Sequence, residues 1–204
     1  MDLPIQLAGL KQNFKGEITT SEADIEHYSK DASIFQIAPQ AIVFPNDVRD
    51  VQELVKFVAA HKPAYPTLSI TPRGGGTDMT GGSINDSIII DTTRHLNNIS
   101  DLTNESVSTQ SGVMFRDLEV KLAAQNRMMP AYPVSKAWVA VGGMVGNNSG
   151  GEKTFKYGQV KNFVEELEVV LGDGNVYTIK PLNETELQQK LALQNFEGNF
   201  YREI

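Results

Sequence analysis

Residues 70 to 83, "ITPRGGGTDMTGGS", place five glycines in fourteen positions directly after a predicted strand. Glycine tolerates positive φ and sets no Cβ between backbone N–H groups and a ligand, so a strand opening into such a loop can cradle phosphate oxygens. A tight turn is the plainer use of two or three glycines, and the letters alone leave it open. Two common phosphate patterns fail here. Reading G-x-x-x-x-G-K-[ST] from Gly76 reaches Gly81 and then meets Gly82 where a lysine is required. Reading G-x-G-x-x-G from Gly74 puts Met79 in the last glycine position, and no helical pattern follows.

The surroundings of the loop are regular. "QAIVFP" (40 to 45), "TLSITP" (67 to 72) and "SIIID" (87 to 91) read as buried strands, and "TTSEADIEHYSKDAS" (19 to 33) as a short capped helix. Between the first two strands, Val51, Leu54, Val55, Val58 and Ala59 form the apolar stripe of a helix over 46 to 61 that Asn46 can cap. This order predicts a small α/β unit with a parallel sheet covered by helices. After residue 99 the texture changes. "ISDLTNESVSTQS" (99 to 111) alternates like a hairpin around Asn104-Glu105, and Phe115, Leu118 and Leu122 mark a helix between Gly112 and Asn126. "MMPAYPVSKAW" (128 to 138) reads as extended, "VAVGGMVGNNSGG" (139 to 151) as a second glycine-rich segment, and "EELEVVLGDGNVYTI" (165 to 179) as a strand pair turning at Asp173-Gly174. A last helix starts near Asn183 or Thr185, and the apolar Phe200, Tyr201 and Ile204 lead to the expectation that the chain is part of a longer protein.

Composition narrows the class. The 204 residues carry a net charge of −7 with both signs interspersed, which argues against a nucleic-acid surface. Without cysteine the sequence has no disulfide framework, thiolate metal site or iron–sulfur ligation, as suits a reducing compartment. No stretch approaches the roughly 18 to 20 apolar residues of a membrane span, and the start has no signal-peptide pattern, so the expectation is a cytoplasmic protein. His27, His61 and His95 are scattered singly without metal-ligand spacing, and surface or structural roles are expected for them.

The second glycine segment arrives in company. "PRGGGTDMTGGSI" (72 to 84), "IIIDTTRHLNNI" (88 to 99), "SGVMFRDLEVKLAAQN" (111 to 126), "MPAYPVSKAWVAVGGMVGNNSGG" (129 to 151), "KYG" (156 to 158) and "EELEVVLGDGNVYTI" (165 to 179) stand in one order and spacing. Together they resemble the FAD-binding domain of the vanillyl-alcohol-oxidase/PCMH-type flavoproteins, in particular the branch of FAD-linked D-lactate dehydrogenases, glycolate oxidases and 2-hydroxyglutarate dehydrogenases. The resemblance covers about residues 38 to 180.

It implies an α+β fold of two α+β subdomains with the cofactor between them. The expected division is an N-terminal helical extension (1–38), a first FAD-binding subdomain (39–100), a second (101–180), and the start of a further segment (181–204). By resemblance the first loop wraps the pyrophosphate with Arg73, Gly74, Gly75, Gly76, Thr77 and Asp78, and Gly81 permits close approach. Pro133, Val134, Ser135, Gly142, Gly143, Asn147, Ser149 and Gly150 line the other side. One amide of the Asn147-Asn148 pair would reach the cofactor while the other holds the turn, and the letters do not say which. Replacing Gly75 by valine is expected to weaken FAD binding far more than it perturbs the fold. Tyr157 is expected to pack under a loop, and Trp138 to be a core or interface aromatic.

Some family members tether the flavin through a histidine in the first loop. The matching position here is Thr77, which implies FAD held non-covalently. The resemblance further implies a flavin-dependent oxidoreductase oxidising a 2-hydroxy acid such as D-lactate, glycolate or 2-hydroxyglutarate by hydride transfer to flavin, with a separate electron acceptor. The family's substrate-binding groups and general base lie in parts not found in these 204 residues, so catalytic residues are not assigned and this piece alone is expected to be inactive. Two alternatives stay open: a non-redox nucleotide- or phosphate-binding module, and a fragment that folds without retaining FAD.

Overall fold

The computed structural model describes residue 7, residues 9–103 and residues 105–204. Its first layer is a four-stranded sheet of β1 (Glu17–Thr19), β2 (Ala41–Phe44), β3 (Ile70–Arg73) and β4 (Ile88–Asp91), in the order β1-β2-β4-β3. β2, β4 and β3 run parallel, with Ala41 opposite Ile88 and Arg73 opposite Asp91, and β1 adds an antiparallel edge. The two inner strands are buried along their whole length, which is why "AIVF" and "IIID" read as continuous apolar runs. Pro72 cannot donate to a ladder and stands on the edge strand β3.

Helices cover both faces. α1 (Glu22–Tyr28), capped by Ser21, lays Ile25 and Tyr28 against Ile42, Phe44 and Ile89. α2 (Val48–His61) buries Leu54 and Val58 against Ala41, Val43, Ile88 and Ile90 on the opposite face. Its cap is Asp47, one residue beyond the predicted Asn46, because the Asp47 carboxylate receives the N–H groups of Arg49 and Asp50. Asp50, only 1 % exposed, accepts from the backbone N–H groups of Lys15 and Asn46 at 2.8 Å each, tying the segment before β1 to the turn after β2. The segment before residue 38 therefore supplies a sheet strand as well as a helix.

A second core gathers Val113, Phe115, Leu118, Leu122, Ala131, Tyr132, Val139, Met144 and Val160. α3 (Phe115–Ala123) contributes the three apolar positions read from the sequence. The stretch 99–109 carries one bridge, Ile99 to Thr109, with Ser100 N–H donating to the Ser108 carbonyl; Asn104 lies outside the described residues. Residues 139 to 142 run beside 111 to 115: Phe115 donates to the Val139 carbonyl, Val141 to Val113 and Gly142 to Ser111. From there the chain enters α4 (Val141–Gly146), a short helix within what the sequence marked only as a glycine-rich segment. α5 (Thr154–Tyr157) and a 3-10 turn (Val160–Phe163) follow.

The predicted hairpin forms as β5 (Leu167–Val170) and β6 (Val176–Ile179), with Gly174 at φ +75 in its turn. It rests on α2, where Gln52 Nε2 donates to the Gly174 carbonyl at 2.9 Å. α6 (Glu184–Ala192) opens on a capping box of Asn183 and Glu186, and α7 (Phe196–Glu203) stacks Phe196 on Tyr177.

Candidate functional site

The first glycine loop leaves β3 at the sheet edge and runs straight into the backbone of the second core. A Cβ built on Gly74 would stand 2.7 Å from Ala140 Cβ, and one on Gly75 would stand 1.7 Å from the Trp138 carbonyl oxygen. Gly75 is required because main chain meets main chain there, and Gly74 because the Ala140 methyl packs against its Cα. A valine at 75 would break that contact, so it should perturb the fold as well as FAD binding, against the expectation that the effect falls far more on FAD binding. Gly142 repeats the device, since its Cβ would meet Ser111 Cβ at 2.7 Å. Gly112 repeats it again toward the first core, where a Cβ would lie 1.9 Å from the Thr92 carbonyl oxygen. The sequence reading missed Gly112, whose only signal is a lone glycine before an apolar helix.

This packing leaves the polar edge of the loop available. The N–H groups of residues 74 to 78 make no hydrogen bond to any described residue. Gly76 supplies the one positive φ inside that stretch, +64. Thr77 is half-buried. The Asp78 carboxylate turns back into its own loop, accepting from Thr80 N–H at 2.9 Å, Thr80 Oγ1 at 2.8 Å and Gly82 N–H at 2.9 Å. The Thr80 N–H bond, foremost, and the Gly82 N–H bond hold the Asp78 carboxyl below its usual range. Arg73 points inward: it is 8 % exposed, its guanidinium carbon sits 5.1 Å from the Tyr28 ring centre, and burial lowers its pKa. Gly81, at φ +85, faces the Phe35 ring on the far side of the loop.

On the facing segment, Pro133 and Ser135 are half-buried and Val134 is exposed. The Ser135 carbonyl accepts from Trp138 and Val139 N–H, which bends the chain toward Gly75. Trp138 is not a core aromatic. Its ring is mostly exposed beside Arg116, and its carbonyl makes the inter-segment contact. Gly143, with only Val139 Cγ2 near at 3.9 Å, is open on its outer side.

The asparagine pair separates cleanly. Asn148 adopts φ +45, its amide donates to Gln159 Oε1, and its oxygen accepts from Lys161 N–H, so it holds the turn. Asn147 is exposed at the end of α4, and its side chain makes no hydrogen bond to a described residue. Ser149 is buried and accepts at its carbonyl from Val160 N–H, while Gly150 closes on Thr154. The structure thus brings Gly74 and Gly75 against residues 138 to 140 and, through these, Gly142 and Gly143. Gly81, Ser149 and Gly150 stand further along the two segments.

The donor set has a definite chemistry. Free backbone N–H groups, the Ser135 hydroxyl and the Asn147 amide suit a group rich in acceptor oxygens, and the uncommitted N–H row spares it a lysine or a metal. Among the described residues no cluster of three or more His, Asp or Glu could hold a metal ion. His61 is bonded to the Phe57 carbonyl and His95 to Glu17, away from the loop.

Residues 39–180 match the family described as "FAD binding domain". The chain belongs to this family. Its cofactor is FAD, and the loop geometry fits the diphosphate of that group. Over 191 residues the chain is 33% identical to D-2-hydroxyglutarate dehydrogenase of Haemophilus influenzae, covering 92% of this chain and 18% of that protein. It is 29% identical to the glycolate oxidase subunit GlcD of Bacillus subtilis, over 73% of this chain and 32% of that protein. Among solved structures, alkyldihydroxyacetonephosphate synthase superposes with a TM-score of 0.74 at 21% identity, over 90% of this chain and 36% of that one. 6-Hydroxy-D-nicotine oxidase of Arthrobacter nicotinovorans superposes at 0.70 and 22% identity, over 82% and 36%. The fold is accordingly the α+β, PCMH-type one implied by the sequence blocks. The chain spans about a fifth of the length of the D-2-hydroxyglutarate dehydrogenases first matched. No described helix is long and apolar enough to cross a membrane.

Proposed function

We propose that the chain is the FAD-gripping part of a flavin-dependent oxidoreductase that oxidises a 2-hydroxy acid. The observation that carries this reading is the contact of Gly74 and Gly75 with Trp138 to Ala140, which presents the unbonded N–H row of residues 74 to 78 beside the second glycine segment. In this reading residues 39–100 and 101–180 flank the cofactor. Gly74 to Asp78 hold the diphosphate through N–H groups, and Arg73 acts from beneath the loop. Pro133, Val134, Ser135, Gly142, Gly143 and Asn147 border the cofactor on the other side, with Gly81, Ser149 and Gly150 shaping the two loops. Thr77 and the absence of cysteine support non-covalent attachment.

When bound, the flavin supplies hydride acceptance from the substrate carbon that carries the hydroxyl. The residues here bind and orient it and keep main-chain dipoles on its phosphates. The names of the relatives, acting on D-2-hydroxyglutarate, glycolate and D-lactate, support the substrate class. The test is anaerobic addition of each acid to the purified whole protein while the flavin absorption is followed. Bleaching by one of the three is expected. A protein that carries FAD and is bleached by none of them contradicts the reading.

A further inference from the structure

The turn after α1 lies outside the residues that match the family, yet it grips the first glycine loop at both ends. At one end Ala32 N–H donates to the Gly76 carbonyl at 3.1 Å. At the other, Ser83 Oγ donates to Asp31 Oδ2 at 2.9 Å. Burial pushes the Asp31 carboxyl up, but its bonds from Ser33 and Ser83 outweigh that and hold it below the usual range. Beneath the loop, Tyr28 is buried and its hydroxyl donates to Asp91 Oδ2 at 2.7 Å; the other Asp91 oxygen accepts from Thr93 N–H and Oγ1 at 2.7 Å. The Tyr28 ring and carbonyl face Arg73, with the carbonyl 3.4 Å from Nη1. The guanidinium lies directly under Gly76, where a Cβ would be 2.6 Å from Nη2.

A loop of glycines has many conformations of nearly equal energy, and binding an anion in one of them forfeits that freedom. Bonds that fix Gly76 and Ser83 before the ligand arrives remove part of that loss. A buried cation directly below the loop adds a field favouring an anion above it. We propose that the segment Tyr28 to Ser33 is a clasp that sets the first glycine loop in its diphosphate-receiving conformation, with Tyr28, Asp31 and Ala32 as positioning residues. Tyr28 acts through Asp91 and Arg73, and Asp31 through Ser83. This rests on the reading that residues 74 to 78 receive the FAD diphosphate.

The test uses the whole protein stripped of flavin and titrated with FAD, with the melting temperature of each apoprotein recorded alongside. Ser83→Ala removes only the bond to Asp31 and is expected to raise the Kd for FAD about tenfold, the size of one lost charge-assisted hydrogen bond. Ser83→Thr keeps the hydroxyl and should restore most of the affinity. Tyr28→Phe keeps the ring under Arg73, removes the bond to Asp91, and should also weaken FAD binding. Affinities unchanged in both Ser83→Ala and Tyr28→Phe overturn the clasp. So does a lowered melting temperature with unchanged Kd, or equal weakening by alanine and threonine at 83 with no effect of Tyr28→Phe. Wild-type protein that binds no FAD would instead sink the underlying reading of the loop.

Discussion

Gly75 and Trp138 touch through main chain, with 1.7 Å separating the Trp138 carbonyl oxygen from the place a Gly75 Cβ would occupy. Real Cβ atoms do not approach an oxygen so closely, so one of the two segments must move if residue 75 is anything but glycine. Gly75→Ala is expected to destabilise the folded chain by about 1 to 3 kcal/mol, the usual range for overpacking, and to lose FAD with it. Urea unfolding of the apoprotein together with flavin content checks both effects. Wild-type stability in the alanine variant contradicts the contact.

Gly143 provides the complementary probe. It lies in α4, where an added Cβ would meet only Val139 Cγ2 at an ordinary 3.9 Å, so Gly143→Ala should leave stability unchanged or raise it by up to about 1 kcal/mol through helix propensity. If the cofactor passes close to α4, the added methyl should still weaken FAD binding. A titration of the alanine apoprotein that matches wild type removes Gly143 from the site.

Asp78 couples the loop to pH. Its folded pKa is depressed below the unfolded value, so its contribution to loop order is complete above about pH 3.9 and is lost as pH falls through the lower folded value. Wild type should therefore hold its flavin more firmly than Asp78→Ala at pH 6, and the gap should close toward pH 3. A gap that widens on acidification contradicts the sign.

Asp50 belongs to the scaffold. Removing its carboxylate strands the Lys15 and Asn46 N–H groups in a buried position, so Asp50→Ala should cost about 2 to 4 kcal/mol in chemical denaturation. A loss under about 0.5 kcal/mol, as for an ordinary surface substitution, would show that the bonds are not needed.

What the letters made legible was periodic or chemically marked. The stripe of α2 and the turn at Asp173-Gly174 are short-range patterns, and both formed where expected. β1 has only three residues and owes its existence to the free edge of β2, which no local window contains. α4 was hidden because glycine carries no periodicity; its helix is set by the bonds of Val141 and Gly142 to the 111–113 stretch and by burial of Met144. At the site, composition pointed to backbone donors but could not tell a glycine facing a ligand from one facing another strand of main chain. Gly74, Gly75 and Gly142 need their bareness for protein contact, whereas Gly143 does not. The resemblance placed Arg73 in the loop that wraps the pyrophosphate, and only the fold shows its guanidinium buried beside Tyr28 and under Gly76.

On the proposed reading, residues 74 to 78 and 142 to 150 serve one FAD molecule. Amide hydrogen exchange of the whole apoprotein, with and without saturating FAD, addresses it directly. Both segments should slow together on FAD addition, with the N–H groups of 74 to 78 changing most because they begin without an acceptor among the described residues. Protection confined to one segment, or falling on neither while FAD binds, contradicts it.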